Sequence, residues 1–428
     1  METMFLLFAA VLLLVLVNVP IAVSLGVVSV IAMLVTQGTD SLPNVALVIY
    51  NGATNFPLLA IPLFILAGAI MNASGISQRL IAFAGALFGW VRGGLAHVSI
   101  GASLFFAEIS GSAVADVAAL GSILIPGMKE KGYPAPYAAA AMSSAATLAV
   151  IIPPSIPMIL YAVMAEASVV QLFVAGIIPG LIGALGLMLM ASWLAHRYNL
   201  PSDERFSMRR VAETGKRAFW AFLLPIIILG GIFGGIVTAT EGAALAVVAA
   251  LFVGLVIYRE LDLRTLRAAV VEGGIQTAVV MLLVATSALL GAYLTEMQSP
   301  QALAKAVSEF TSNKWLVLAL LNVLFLFLGM FLHSAAAIIL VVPIVMPLVR
   351  AAGIDPVHFG LIVTINLGIG QQTPPVASVL MVASSIARAS VWEVTRVNVW
   401  FIGVLLAVLM LVTYVPVTGM GLVEAFYR

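Results

Sequence analysis

The 428-residue sequence is 63% hydrophobic and 9% charged, with a mean hydropathy of +1.19 and a net charge of +1. Soluble domains are about 45–50% apolar and about 25% charged, so the composition excludes a soluble domain anywhere in the chain and gives no footing for nucleic-acid binding. The absence of cysteine removes disulfides and thiolate metal sites.

Apolar runs of the ~20 residues that span a bilayer core recur from Met4 to Val415 with short polar breaks. The opening "METMFLLFAA" has an acid, no basic n-region and no following small-residue cleavage site. It is therefore expected to stay as a first crossing, 3–18, rather than leave as a signal peptide. Crossings follow at 20–36 and 57–73, the latter opening with "FPLLAIPLFILAG", whose prolines suit a scaffold or domain boundary. Residues 93–128 are too long for one crossing and carry the small, polar centre "EISGSAVAD". They are expected to form a re-entrant hairpin of two half-depth helices joined by a tip. A crossing over 135–165 is interrupted by Pro153-Pro154, and another covers 170–195.

The polar stretch 197–217 separates this first half, 1–196, from a second, 218–428. Six basic residues assign it to the cytoplasm, as a linker that is partly an amphipathic helix. Crossings are expected at 219–237, 241–258 and 274–295, a second hairpin at 314–349, a proline-broken crossing at 356–387 and a last one at 393–416. "GGIFGGIVTATEGAA" lies between two of these, with Glu241 three residues after Thr238, the spacing of a capping box.

Pro126, Gly132 and Pro153-Pro154 recur as Pro347, Gly353 and Pro374-Pro375, each 221 residues later. Prolines and glycines mark kinks and turns, so the coincidence predicts two copies of one unit. Five crossings and one hairpin per copy make the copies inverted. This threading sets fifteen basic residues inside and four (Lys305, Lys314, Arg350, Arg428) outside. The fold class expected is an all-α polytopic membrane protein, an inverted repeat with two re-entrant hairpins and two proline-broken helices.

A Pro-Pro pair removes donors and leaves carbonyls before Pro153 and Pro374 without helical partners. Such a break is either a simple kink or a place where carbonyls meet a cation; Gln371, Gln372 and Thr373 add oxygens beside the second. At the first tip Ser112 and Asp116 either cap the second arm or serve a site, and Glu108 is an acid at costly depth. His333 and Ser334 sit at the second tip, the histidine either structural or a proton relay. No Walker P-loop, HExxH or GxSxG motif occurs. An intramembrane hydrolase would have to assemble Ser112, His333 and an acid across both hairpins.

"FPLLAIPLFILAG", "ISGSAVADVAALGSILIP", "IIPPSIP", "GGIFGGIVTATE" and "QQTPPV", in this order across nearly the whole chain, resemble the large membrane (M) subunit of tripartite ATP-independent periplasmic (TRAP) transporters. The resemblance implies a multi-pass protein of the bacterial inner membrane and an elevator motion. It also implies Na⁺ as coupling ion, an organic acid as substrate, and two partners: the small TRAP membrane subunit (Q) and a periplasmic substrate-binding protein (P). It implies a first Na⁺ site at Ser110, Gly111 and Ser112 with Ile151, Ile152 and Pro153. A second is implied at Leu332, His333 and Ser334 with Gln372, Thr373 and Pro374. Substrate candidates are Glu108, Asp116, Ser155 and Gln371; Glu108 departs from the family pattern, where a small residue is usual. The alternatives are a stand-alone ion-coupled carboxylate transporter of related fold, and a channel.

Overall fold

The computed structural model describes residues 2–17, 19–110, 112–202, 205–311 and 313–427, with backbone alone at 2–5, 12, 16, 107–110 and 308. Among these residues, all regular structure beyond one isolated bridge between Arg92 and Ser202 is helical. That is what a bilayer demands of a chain that must satisfy its own backbone.

The first half runs α1 (Glu2–Leu16), α2 (Ile21–Gln37), α3 (Leu42–Ala53), α4 (Ala60–Ala73), α5 (Ile76–Phe88), α6 (Gly94–Ser110), α7 (Ala113–Glu130), α8 (Ala135–Ala146), α9 (Leu148–Ile151), α10 (Ile156–Ala165) and α11 (Val169–Arg197). The second runs α12 (Met208–Phe233), α13 (Ala239–Phe252), α14 (Leu263–Glu296), α15 (Ser299–Phe310), α16 (Lys314–Phe331), α17 (Ser334–Ala351), α18 (Pro356–Gly370), α19 (Ser378–Ala387), α20 (Val391–Tyr414) and α21 (Val417–Tyr427). Among the described residues, eight segments are long and apolar enough to cross a membrane, or nine if α8–α10, bent by 41° at its break, is one span. This is an all-α, multi-pass architecture.

Two groups of helices pack internally. α2, α3 and α4 pack with α13 and α14, and α6–α11 pack with α16–α21, while α5 and α15 flank the second group. Every residue of α18 from Val357 to Gly370 is buried, as is nearly all of α8. A helix apolar all round belongs in a core. By contrast α14 exposes Val271, Ile275, Val279 and Leu282, of which Ile275 and Val279 border a cavity.

Several boundaries differ from the sequence expectation. α14 begins at Leu263, eleven residues before the expected crossing, because Asp262 and Thr265 close a capping box there. α12 absorbs the second half of the linker from Met208, capped by Ser207. The 37–55 segment, between the crossings expected at 20–36 and 57–73, holds α3, which packs on α14. Each hairpin arm is 17 or 18 residues, about 26 Å at 1.5 Å per residue, longer than half-depth. The box at Thr238 and Glu241 is present, with the Thr238 amide donating to Glu241 at 2.8 Å.

Candidate functional site

The first hairpin tip delivers Ser112 as N-cap of α7, its hydroxyl accepting from the Ala115 amide at 3.5 Å. Gly111 and the side chains of Glu108 and Ser110 lie outside the described residues. Asp116, one turn into α7, is fully buried. Opposite, α9 ends at Ile151, Ile152 turns extended, and the Pro153-Pro154 pair separates it from α10. Ser155 closes that break from within: its hydroxyl donates to the Val150 carbonyl at 2.8 Å, and the side chain is buried. Gly176 of α11 lies against the Ile151 carbonyl so closely that a Cβ has no room.

The second tip repeats the arrangement. Leu332 is buried and extended, His333 is the N-cap position of α17, and Ser334 begins that helix. Gln371 donates from its amide to the Ser334 hydroxyl, and the Ala377 amide donates to the Met330 carbonyl at 3.3 Å, so hairpin and break are tied together. The arm and α18 meet through Gly329 and Gly370, each leaving no space for a side chain on the other. Thr373 donates to the Ile369 carbonyl at 2.8 Å, and Pro374 is partly exposed.

Gln372 is fully buried and faces the other half of the chain. Its amide nitrogen donates to Thr147 at 3.0 Å, and its side-chain oxygen lies 2.9 Å from Ser144 and 3.2 Å from the Asn398 amide. Its backbone carbonyl also accepts from Asn398, at 3.2 Å.

A cavity of about 400 Å³ is lined by Ser112, Val150, Pro157, His333, Ser334 and Gln371 and closed on the far side by Ile65 of α4 and by Gln276 and Val280 of α14. Both tips and both broken helices thus reach one space, facing the other helix group. Asp116 and Ser155 do not line it. The N-termini of α7, α10 and α17 all open onto it, through Ala113, Ile156 and Ser334. Three converging N-termini offer partial positive charge and amide donors, the setting for an anion. Among the described residues no lysine, arginine or acid lines this cavity, and none of them brings a carboxylate to Ser112 and His333 there. A second cavity of about 430 Å³ shares Ile65, Ala115, Ala118 and Gln276 and continues past Asn72, Ser77 and Glu272. Gln276, which touches both, carries no motif in the sequence; a lone glutamine in the run "EGGIQTAVV" is its only signal.

Among the described residues no three His, Cys, Asp or Glu side chains gather as a metal site. Hydroxyls and carbonyls at the tips and breaks are the available donors, which fits a hard alkali cation and not a zinc-like ion.

A family model described as the tripartite ATP-independent periplasmic transporter, DctM component, matches residues 8–418. The chain belongs to this family. It is similar to the isethionate TRAP transporter permease protein DctMQ of Oleidesulfovibrio alaskensis, 40% identical over 94% of this chain; the chain spans only 64% of that longer relative. It is also similar to the C4-dicarboxylate TRAP transporter large permease protein DctM of Pseudomonas aeruginosa, 39% identical over 90% of each chain. In fold it is similar to the crystal structure of the Alcanivorax borkumensis YdaH transporter, with a TM-score of 0.63 at 16% identity over 90% of this chain and 91% of that one. As a TRAP large permease it is a multi-pass inner-membrane transport subunit and not an enzyme.

Proposed function

We propose that this TRAP permease carries a small organic anion inward with Na⁺, by an elevator motion of the α6–α11 and α16–α21 group against the group built from α2–α4, α13 and α14. The observation that carries the reading is the convergence of three helix N-termini on a cavity between the two groups without a lysine or arginine in its described lining. Helix dipoles attract an anion without the tight pairing that would hinder release. The relatives' named cargoes, isethionate and C4-dicarboxylates, support a small organic acid as substrate, carboxylate or sulfonate.

Two sodium ions are assigned to the tip-and-break pairs. Ser110, Gly111 and Ser112 with Ile151, Ile152 and Pro153 form one; Leu332, His333 and Ser334 with Thr373 and Pro374 form the other, Gln372 contributing orientation. The inverted repeat is supported by element bounds: α7 and α17 are both 18 residues long and begin at Ala113 and Ser334, 221 apart. The cavity past Asn72 and Glu272 opens towards Arg264 and Arg267, basic residues of the side assigned to the cytoplasm, which supports an inward-open arrangement. A periplasmic binding protein and a small membrane subunit are proposed as partners, and the length of the DctMQ relative beyond the match supports the second.

The test is reconstitution of the chain with its candidate partners in liposomes, with a panel of organic acids under an imposed Na⁺ gradient. Saturable uptake requiring binding protein and sodium is expected. Saturable uptake by this chain alone overturns the partner requirement in favour of a stand-alone carrier, and unsaturable flux without sodium points to a channel.

A further inference from the structure

The polar cluster around Gln372 lies away from the cavity and joins the two broken helices to each other. Ser144 stands on α8 and Thr147 joins α8 to α9 on the way into the first break, Gln372 stands immediately before Thr373-Pro374 in the second, and Asn398 belongs to α20. All four are buried to within 1%. The bonds use the Ser144 and Thr147 hydroxyl protons, both Asn398 amide protons and one of the two Gln372 amide protons. A serine hydroxyl has one proton, and at 2.7 Å Asn398 Oδ1 is the nearer acceptor for Ser144. The two Asn398 amide protons go to the Gln372 carbonyl and side-chain oxygen. Gln372 Nε2 donates to Thr147, which in turn donates to the Ser143 carbonyl at 3.4 Å. The helices also touch closely here, since a Cβ at Gly368 would press on the Thr147 methyl.

A buried network this densely bonded holds its members in one arrangement, because breaking any link leaves a polar group stranded. We propose that Asn398 is a positioning residue: through Gln372, Ser144 and Thr147 it locks the two breaks into one body, so that a cation ordering the carbonyls of one break favours cation binding at the other. This rests on the sodium reading above. Asn398 touches neither tip and acts through Gln372, whose carbonyl and side chain it holds at the entrance of the second break.

The test uses the reconstituted complex and measures initial uptake against Na⁺ concentration, with the substrate KM determined separately at saturating sodium. The parent is expected to give a sigmoidal Na⁺ dependence. Asn398→Leu, similar in volume but without the amide, is expected to flatten it towards hyperbolic. Its Na⁺ half-saturation should rise ~10-fold, the size of one lost buried hydrogen bond, with the substrate KM nearly unmoved. A residue that merely supports the fold would lower the amount of active transporter and leave the shape and midpoint of the curve alone, and that outcome overturns the proposal. If Asn398→Leu does not give a monodisperse complex, Thr147→Val, which removes one hydroxyl at the far end of the network, decides on the same two readouts. A parent whose uptake ignores sodium overturns the sodium reading and this proposal together. A sodium-dependent parent with a hyperbolic curve, or with variants matching it, overturns this proposal alone.

Discussion

Lys129, in the last turn of α7, donates from Nζ to the carbonyl oxygen of Ala387 at 2.8 Å, where α19 ends 258 residues later in the chain. Arg350, 221 positions after Lys129 and in the last turn of α17, does the same to Ala165 at the end of α10, at 3.1 Å. Each hairpin therefore closes on the broken helix of the other half. A cation at a helix C-terminus satisfies an orphan carbonyl and complements the dipole.

The first prediction follows from that exchange. Lys129→Met keeps the aliphatic stem and removes the charge, and should destabilise the purified protein by about 1 kcal/mol. Arg350→Met should do the same, and since the two contacts share no residue the two effects should add. Thermal denaturation in detergent of the single and double variants checks this; a double variant no worse than either single would show that the two ends are not independent.

A second prediction concerns the seam between the second hairpin and α18. Gly370→Ala sets a methyl where Gly329 already sits, backbone against backbone, so neither side can yield by rotating a side chain. Overpacking of this kind costs about 1–3 kcal/mol. Hairpin and break would be forced apart, separating Ser334 from Gln371. Uptake per folded molecule should fall much further than for Gly274→Ala, where a Cβ meets open space.

The elements legible in the sequence are those fixed by local chemistry. Pro153-Pro154 and Pro374-Pro375 announce the breaks because a ring without an amide proton cannot continue a helix wherever it stands. Thr238 and Glu241 announce a cap for the same local reason. The helix pairs at 93–128 and 314–349 are legible as runs too long for one crossing with polar centres, while each arm is 17 or 18 residues rather than the expected half-depth. Asn398 and Gln276 were not legible. Each is one polar residue on a long apolar helix, and its meaning depends on a neighbour more than twenty residues away or in the other helix group. Asp116 and Ser155 look like site residues by sequence, but Ser155 spends its hydroxyl on Val150 and neither reaches the cavity. α3 is not legible as a crossing because its twelve residues, although apolar through Val45–Tyr50, are too few to span a bilayer core.

A third prediction concerns pH at the membrane margin. Arg79 grips Glu260 with two bonds, 2.6 and 3.1 Å, and lies 3.7 Å over the Tyr258 ring. The hydrogen bond from Arg79 holds the Glu260 carboxyl below its ordinary 4.5, against the opposing effect of burial. A carboxylate whose pKa is depressed by folding contributes stability above its unfolded value and loses that contribution as pH falls through the folded one. The loss therefore belongs below about pH 4.5. With Arg79 24% and Glu260 44% exposed, solvent screening keeps the effect to roughly 0.2–1 kcal/mol. Glu260→Gln should lower the melting temperature slightly at neutral pH and converge with the parent on acidification, and high salt should narrow the neutral gap.

A fourth prediction separates the cavity from the buried shell. The chain has no cysteine of its own, so single cysteines report cleanly. Ser112→Cys and His333→Cys, at cavity-lining positions, should react with a small water-soluble thiol reagent, and substrate with sodium should slow both reactions. Ser155→Cys, buried and turned to Val150, should stay unreactive. Equal reactivity at all three positions would remove the distinction between lining and packing residues.

The last prediction tests the charge preference of the cavity at its least conspicuous residue. Gln276 is the one polar side chain that α4 and α14 contribute to the described lining, and it borders the second cavity as well. Gln276→Glu changes almost nothing in shape and adds one negative charge. If the three N-termini are there to receive an anion, that carboxylate repels the cargo. Two like charges about 6 Å apart at an effective dielectric near 20 oppose each other by roughly 3 kcal/mol, so the substrate KM should rise by at least tenfold. Gln276→Leu, neutral but unable to hydrogen-bond, should raise KM much less. The measurement is initial uptake against substrate concentration at saturating sodium and excess binding protein, with the amount of folded complex fixed. A Gln276→Glu transporter with the parent's KM, or one whose KM merely matches that of Gln276→Leu, would mean that the anion rests somewhere other than this cavity.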